Sequence, residues 1–257
     1  MSEEKLIEIN GKSILPNAIT LTALLSGFFA ITKAISGEFE TASMWIFAAM
    51  FFDGMDGRVA RWTNGQSSIG EQLDSLADMV SFGVAPALIA YMWQLKSFGK
   101  IGYAIAFIYC ACAALRLALF NTLIGKIDKR WFIGVPSPTA AGLVAGLVWL
   151  HHGYERLPYI NYLALAITLF AGLSMIVQIK FWSFKEIVML KSAPFSIMYP
   201  VILILLLLIL LPSLTLFSIF FLYSLSGYII WIWKRLHKNT NHTAPVVNEI
   251  IEDNEEE

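Results

Sequence analysis

Residues 43–78 read SMWIFAAMFFDGMDGRVARWTNGQSSIGEQLDSLAD, an apolar run that passes without a break into a stretch with four aspartates, two arginines and four glycines. The rest of the chain decides which solvent this stretch meets. Of the 257 residues, 57% are hydrophobic and 14% charged, far from the balance of a soluble domain. The expected class is therefore an integral membrane protein. A net charge of −1 gives no support to a nucleic-acid partner. Cys110 and Cys112 alternate along an apolar segment, too few and too placed for a disulfide framework, and are expected to be packing residues. The beginning, MSEEKLIEINGKSILPN, lacks the basic, apolar and small-residue order of a cleaved signal, so the first apolar segment is expected to remain.

Working outward, apolar stretches with few charges recur at residues 14–35, 41–52, 79–95, 101–123, 132–150 and 157–179, each near the ~20 residues that a spanning helix needs. The second is completed by residues 53–62, and the third begins near Glu71. Residues 192–233 carry no charge and run to about twice that length, with Pro212–Ser213 near the middle, which predicts a hairpin of two helices. The expected fold is an all-α membrane bundle of about eight transmembrane helices, since a barrel would show short alternating segments instead. An even number of spans puts both ends on one side. Lys5, Lys12, Arg58, Arg61, the basic residues of 126–130, Lys180, Lys185, Lys191, Lys234, Arg235 and Lys238 fall on that side, against Lys33, Lys96, Lys100 and Arg156 on the other. The positive-inside bias makes the first set, both termini and the aspartate stretch cytoplasmic. Three regions follow: residues 1–13, a cytoplasmic segment that either lies along the membrane surface or is a solvated tail; 14–235, the transmembrane domain; and 236–257, an acidic, disordered cytoplasmic tail.

Asp53 and Asp56 are three apart, Asp74 and Asp78 four apart, so each pair shares one face of its own helix. Two antiparallel helices, joined through the turn signal Asn64–Gly65, can point all four carboxylates into one space. Clustered carboxylates repel unless cations intervene. Ligation by carboxylates, with no histidine or cysteine beside them, favours Mg²⁺ or Mn²⁺ over zinc. Gly54, Gly57 and Gly70 are poor helix residues and suit close approach of a ligand to the backbone. Two other accounts compete. The aspartates could merely cap helices and solvate a loop, although ionisable groups at helix depth usually serve a function. They could line an ion or proton pathway, although the internal repeats and matched broken helices of a transporter are not visible in the sequence.

The pattern Asp53-x2-Asp56-Gly57-x2-Ala60-Arg61-x8-Gly70-x3-Asp74-x3-Asp78 resembles the complete signature of the CDP-alcohol phosphotransferases. LPNAIT at 15–20, LRLALFN at 115–121, FIGVPSPTAAG at 132–142 and IKFWSFK at 179–185 resemble the members that use serine, and LYSLSG at 222–227 extends the likeness weakly. The resemblance implies transfer of the phosphatidyl group from CDP-diacylglycerol to the hydroxyl of L-serine with release of CMP; glycerol 3-phosphate, an inositol phosphate or choline are the alternative acceptors. It implies two divalent metal ions, Mg²⁺ or Mn²⁺, held by Asp53, Asp56, Asp74 and Asp78, with Asp78 also the general base. Asn17, Gly57, Ala60, Arg61, Ser67 and Gly70 would face CDP-diacylglycerol. A homodimer in the cell (inner) membrane is the implied assembly, with membrane lipid around it. Leu119 departs from the pattern: similar enzymes often carry a second arginine there.

On the acceptor side the candidates are Arg116, Asn121, Ser137, Lys180 and Lys185. Arg116 lies in an apolar span and is expected to face the interior, either holding a substrate anion or pairing with a carboxylate. Pro136 and Pro138 begin a span, with Ser137 between them. Lys180 and Lys185 either gather the lipid headgroup or snorkel at the span end. His151–His152 is expected on the far side from the carboxylates, as an interfacial pair without metal.

Overall fold

The structure, a computed structural model, describes residues 11–123, 131–153, 159–182 and 198–237. Residues 1–10, the basic residues of 126–130, Lys185 and the acidic residues beyond 237 lie outside the described residues. The architecture is helical. α1 (Ile14–Ile35) and α2 (Phe39–Trp62) form a close antiparallel pair, followed by α3 (Ser68–Asp78), a π-helical turn (Met79–Val84) and α4 (Ala85–Trp93) in one continuous rod. α5 (Lys100–Leu123), α6 (Ser137–Gly153) and α7 (Ile160–Ile176) complete the packed bundle. α8 (Met198–Leu210) and α9 (Pro212–His237) come last.

Four helical runs among the described residues are long and apolar enough to cross a membrane: Gly11–Ile35, Ser68–Trp93, Lys100–Thr122 and Pro212–Trp233. The expected break at Pro212 is present. Thr215 Oγ1 donates to the carbonyls of both Leu211 and Leu207, although residues eight apart in an unbroken helix stand about 12 Å from each other. The chain therefore turns sharply there.

The span expected over 132–150 starts late. Trp131–Ile133 is instead a short strand (β1), paired antiparallel with Lys180–Trp182 (β2) so that Ile133 faces Lys180. The cause is local: proline disfavours helical backbone in the residue before it, so Pro136 holds Val135 out of the helix and α6 begins at Ser137. Likewise, among its described residues the apolar stretch 157–179 is helical over Ile160–Ile176, and its last residues lead into β2.

Two apolar cores meet on α6. One joins α1, α2, the π turn and α4 through Ala30, Ala34, Ala42, Ile46, Ala49, Phe82 and Ile89. The other joins α4, α5 and α7 through Tyr109, Leu143, Leu147 and Met175. Alanine predominates in the first because small side chains let membrane helices approach closely, which is where their packing energy comes from. α8, by contrast, has no buried residue.

Alternation of the helices separates two ends. At one end, Lys33 pairs with Glu38 at 2.9 Å across the α1–α2 turn, and the His151 ring meets the Trp93 ring at a tilt of 59°. Both histidines sit at the end of α6 opposite Ser137. The four aspartates lie toward the other end, where α2 finishes and α3 begins. Cys110 and Cys112 are free thiols on α5, half-buried and buried.

Candidate active site

The α2–α3 connection shows how the sequence builds the site. α2 ends after Trp62, and Asn64, in the Asn64–Gly65 turn signal, takes a left-handed φ of 49°. Ser67 then caps α3, its Oγ accepting the Gly70 N–H at 3.1 Å. The chain reverses within a few residues, and the inner faces of α2 and α3 confront each other.

Oxygen atoms of Asp53, Asp56 and Asp74 come within 4.8 Å of one another. Asp56 is the most enclosed at 7% exposure. The Thr20 hydroxyl of α1 donates to its Oδ2 at 2.8 Å, and the Gly57 N–H also faces it. Such a bond to an ionised carboxylate is worth about 1.5–3 kcal/mol and fixes the carboxylate's direction. Asp78 is not one of these three but adjoins them. Its carboxyl makes hydrogen-bond contact with Asp53 and lies within reach of the positive charge of Arg116 on α5.

The nucleotide-side candidates divide by surroundings. A Cβ at Gly54 or Gly57 would meet nothing within 4 Å, so both glycines border open space beside the carboxylates. At Gly70 a Cβ would stand 3.0 Å from Asn17 Oδ1 and 3.1 Å from Ser67 Oγ, which brings Asn17, Ser67 and Gly70 together at one corner. Ala60 is half-buried and Arg61 exposed, on the last turns of α2.

On the acceptor side the residues part company. Arg116 Nη1 donates to Ser137 Oγ at 2.7 Å, while its Nε–H is buried with no partner among the described residues. Tyr109 and Tyr223 lie near the same guanidinium. Asn121 is exposed and occupied by Ser75, to whose Oγ it donates at 3.0 Å. The backbone of Lys180 belongs to β2. Thr20 and Tyr223 went unassigned by the sequence reasoning; each sits inside a recognised motif, LPNAIT and LYSLSG, which was the available signal.

Oxygen-only donors, a hydroxyl that aims one of them and an open cradle at two glycines fit a hard divalent cation beside a bulky anionic ligand. Fold and site together define a membrane helical-bundle protein with a carboxylate centre between two antiparallel helices. The chain belongs to the CDP-alcohol phosphatidyltransferase family, whose sequence profile matches residues 13–177. Its relatives include the CDP-diacylglycerol–serine O-phosphatidyltransferase of Helicobacter pylori, 37% identical over 227 residues that cover 88% of this chain and 94% of the relative. The enzyme of the same name from Bacillus subtilis is 39% identical over 174 residues, 67% of this chain and 92% of that one. The one from Saccharomyces cerevisiae is 37% identical over 145 residues, about half of each chain.

Proposed function

We propose that this chain transfers the phosphatidyl group of CDP-diacylglycerol to L-serine, yielding phosphatidylserine and CMP. The observation that carries the proposal is the convergence of Asp53, Asp56 and Asp74 beside open glycines, with Asp78 between Asp53 and Arg116. In the reaction the serine Oγ attacks the phosphorus that bears diacylglycerol, the phosphorus–oxygen bond to CMP breaks, and the serine hydroxyl proton passes to the Asp78 carboxylate. Serine is a weak nucleophile until a carboxylate accepts that proton.

Asp53, Asp56 and Asp74, with Asp78, are the residues to hold Mg²⁺ or Mn²⁺, two ions by family resemblance. Bound cations would neutralise the pyrophosphate and the charge that develops on departing CMP. Thr20 keeps Asp56 aimed at that place. Gly54 and Gly57 let the nucleotide approach α2, and Asn17, Ala60, Arg61, Ser67 and Gly70 surround it, with Arg61 offering a planar fork of donors to phosphate. The Nε–H of Arg116, with no partner among the described residues, calls for an anionic acceptor group, and the serine carboxylate is one. Ser137 holds the guanidinium in place. Asn121, Lys180 and Lys185 are assigned to the acceptor and headgroup side.

The same proposal sets the protein in the membrane. Residues 14–235 form the catalytic domain, with α1, α2, the α3–α4 rod, α5, α6, α7, α8 and α9 as eight spans. Residues 1–13 and 236–257 flank it on the cytoplasmic face, where the carboxylates open. The membrane is the cell (inner) membrane, and the assembly a homodimer, as the resemblance implies. Purified protein given CDP-diacylglycerol, Mn²⁺ or Mg²⁺ and each alcohol in turn tests the reaction. CMP release and phosphatidylserine formation with serine alone are expected. Release with glycerol 3-phosphate, inositol phosphate or choline but not serine overturns the acceptor, and no release with any alcohol overturns the transferase.

A further inference from the structure

Directly after Asp78 the helix widens from α to π over Met79–Val84, and the Ala85 N–H reaches back to the carbonyl of Val80. Single π turns inside α-helices are rare and gather at functional sites. The sequence supplies a local cause. Pro86 stands four residues after Phe82 and has no N–H, so the Phe82 carbonyl lacks the donor that an α-helix would give it. Leaving such a buried carbonyl unpaired costs about 1–3 kcal/mol.

Another helix fills the gap. Tyr109 on α5, with 0% exposure, donates its hydroxyl to the Phe82 carbonyl at 3.1 Å. On the opposite side of the π turn, Ser81 Oγ donates to the Ala23 carbonyl of α1 at 3.2 Å. Gly27 admits that contact: a Cβ there would come within 2.8 Å of Ser81 Cα. The π turn is clamped between α1 and α5. Arg116 follows Tyr109 by seven residues, which puts both on one face of α5. That face meets the neighbouring helix twice, with Arg116 toward the Asp78 carboxyl and Tyr109 at the Phe82 carbonyl.

We infer that Tyr109 is a positioning residue: its hydroxyl holds the π turn through the Phe82 carbonyl, and the π turn sets the direction in which Asp78 projects toward the acceptor. This role rests on Asp78 as the proton acceptor of the proposed transfer. A remote change that misplaces a reacting group by about 1 Å can cost on the order of 100-fold in rate. Tyr109→Phe keeps the ring and its packing and removes only the donor.

The test compares the parent, Tyr109→Phe, Ser81→Ala and Tyr109→Phe/Pro86→Ala in full-length purified protein with CDP-diacylglycerol, serine and Mn²⁺. Measured for each are kcat, both KM values, CMP binding and thermal unfolding. Tyr109→Phe is expected to lower kcat about tenfold or more while KM for CDP-diacylglycerol and CMP binding stay within about twofold. Ser81→Ala, which loses a bond from the same segment on the α1 side, keeps kcat within about twofold. Pro86→Ala returns a helix-internal donor to Phe82 without the tie to α5, so the double variant stays slow. An unchanged kcat in Tyr109→Phe, recovery in the double variant, or an equal loss in Ser81→Ala overturns the role. So does a fall in CMP binding that matches the fall in turnover, which would make Tyr109 a packing residue. A parent that releases no CMP with serine brings down the Asp78 assignment and this role with it; an active parent with an unaffected Tyr109→Phe brings down the positioning role alone.

Discussion

The two sides of the carboxylate centre are built differently. The donor side, Asp53, Asp56 and Asp74 with Gly54, Gly57 and Gly70, comes from one hairpin of two helices within 22 residues, steadied by Thr20 and Asn17 from α1. The acceptor side gathers Asp78, Arg116 and Ser137, with Tyr109 and Tyr223 beside them, from α3, α5, α6 and α9. In the proposed reaction the donor side would handle what every CDP-alcohol transfer shares, the pyrophosphate and its cations, for which a short local motif suffices. Recognising one alcohol is the variable task, and it would fall to residues brought together only by the folded bundle.

If the two sides do separate work, damage to each should read out in a different quantity. The largest effect is expected at Asp56→Asn or Asp74→Asn. An amide keeps the shape but forfeits cation stabilisation worth several kcal/mol, so turnover should fall about a thousandfold or more at ~1.4 kcal/mol per tenfold. Expression should be retained, and Mn²⁺-dependent CMP binding should be lost. Either variant working at near the parent rate would break the donor assignment. Next, Arg116→Ala removes a charged hydrogen-bond donor of about 1.5–3 kcal/mol and should raise KM for serine about 10- to 100-fold while CMP binding holds. An effect on CMP binding instead would move Arg116 to the donor side. Thr20→Val, by freeing the Asp56 carboxylate, should weaken Mn²⁺ affinity about tenfold with KM for serine unchanged; titration of Mn²⁺ against CMP binding reads this. The smallest effect is expected at Ser67→Ala. Loss of the α3 cap should cost about 1 kcal/mol of stability, visible in thermal unfolding, with kcat nearly that of the parent. KM for CDP-diacylglycerol should rise by no more than a few-fold; no rise at all would take Ser67 out of the nucleotide's surroundings and leave it only the cap of its own helix.

The same contrast explains what was legible in the sequence. The donor side could be read because its residues are close in the chain: spacings of three and four fix a helix face, and Asn64–Gly65 marks the reversal. Helix ends were also legible where charge or proline marks them; α1 covers the apolar stretch 14–35, and the last stretch breaks at Pro212. Where hydropathy alone was the guide, the expectation overran. Residues 131–133 are as apolar as a span but pair with 180–182, because Pro136 and Pro138 delay the helix. Hydropathy also carries little information on burial in a membrane, where lipid is as apolar as the core. α6, rich in glycine and alanine, is enclosed along most of its length, whereas the leucine-rich α8 has no buried residue. The bond from Arg116 to Ser137 spans 21 residues and that from Tyr109 to Phe82 spans 27. Neither has a local periodicity to announce it. Ser75 holding Asn121 belongs to the same group, and it ties the start of the α3–α4 rod to the end of α5.

The division of labour is tested most directly by measuring serine-dependent CMP release and Mn²⁺-dependent CMP binding on Asp56→Asn and Asp78→Asn together. Asp78→Asn is expected to lose turnover as severely as Asp56→Asn while binding CMP more tightly than Asp56→Asn does, because three carboxylates remain for cations and none remains to take the serine proton. Equal loss of CMP binding in both variants would leave Asp78 a plain metal ligand, and turnover retained in Asp78→Asn would contradict its role as the base.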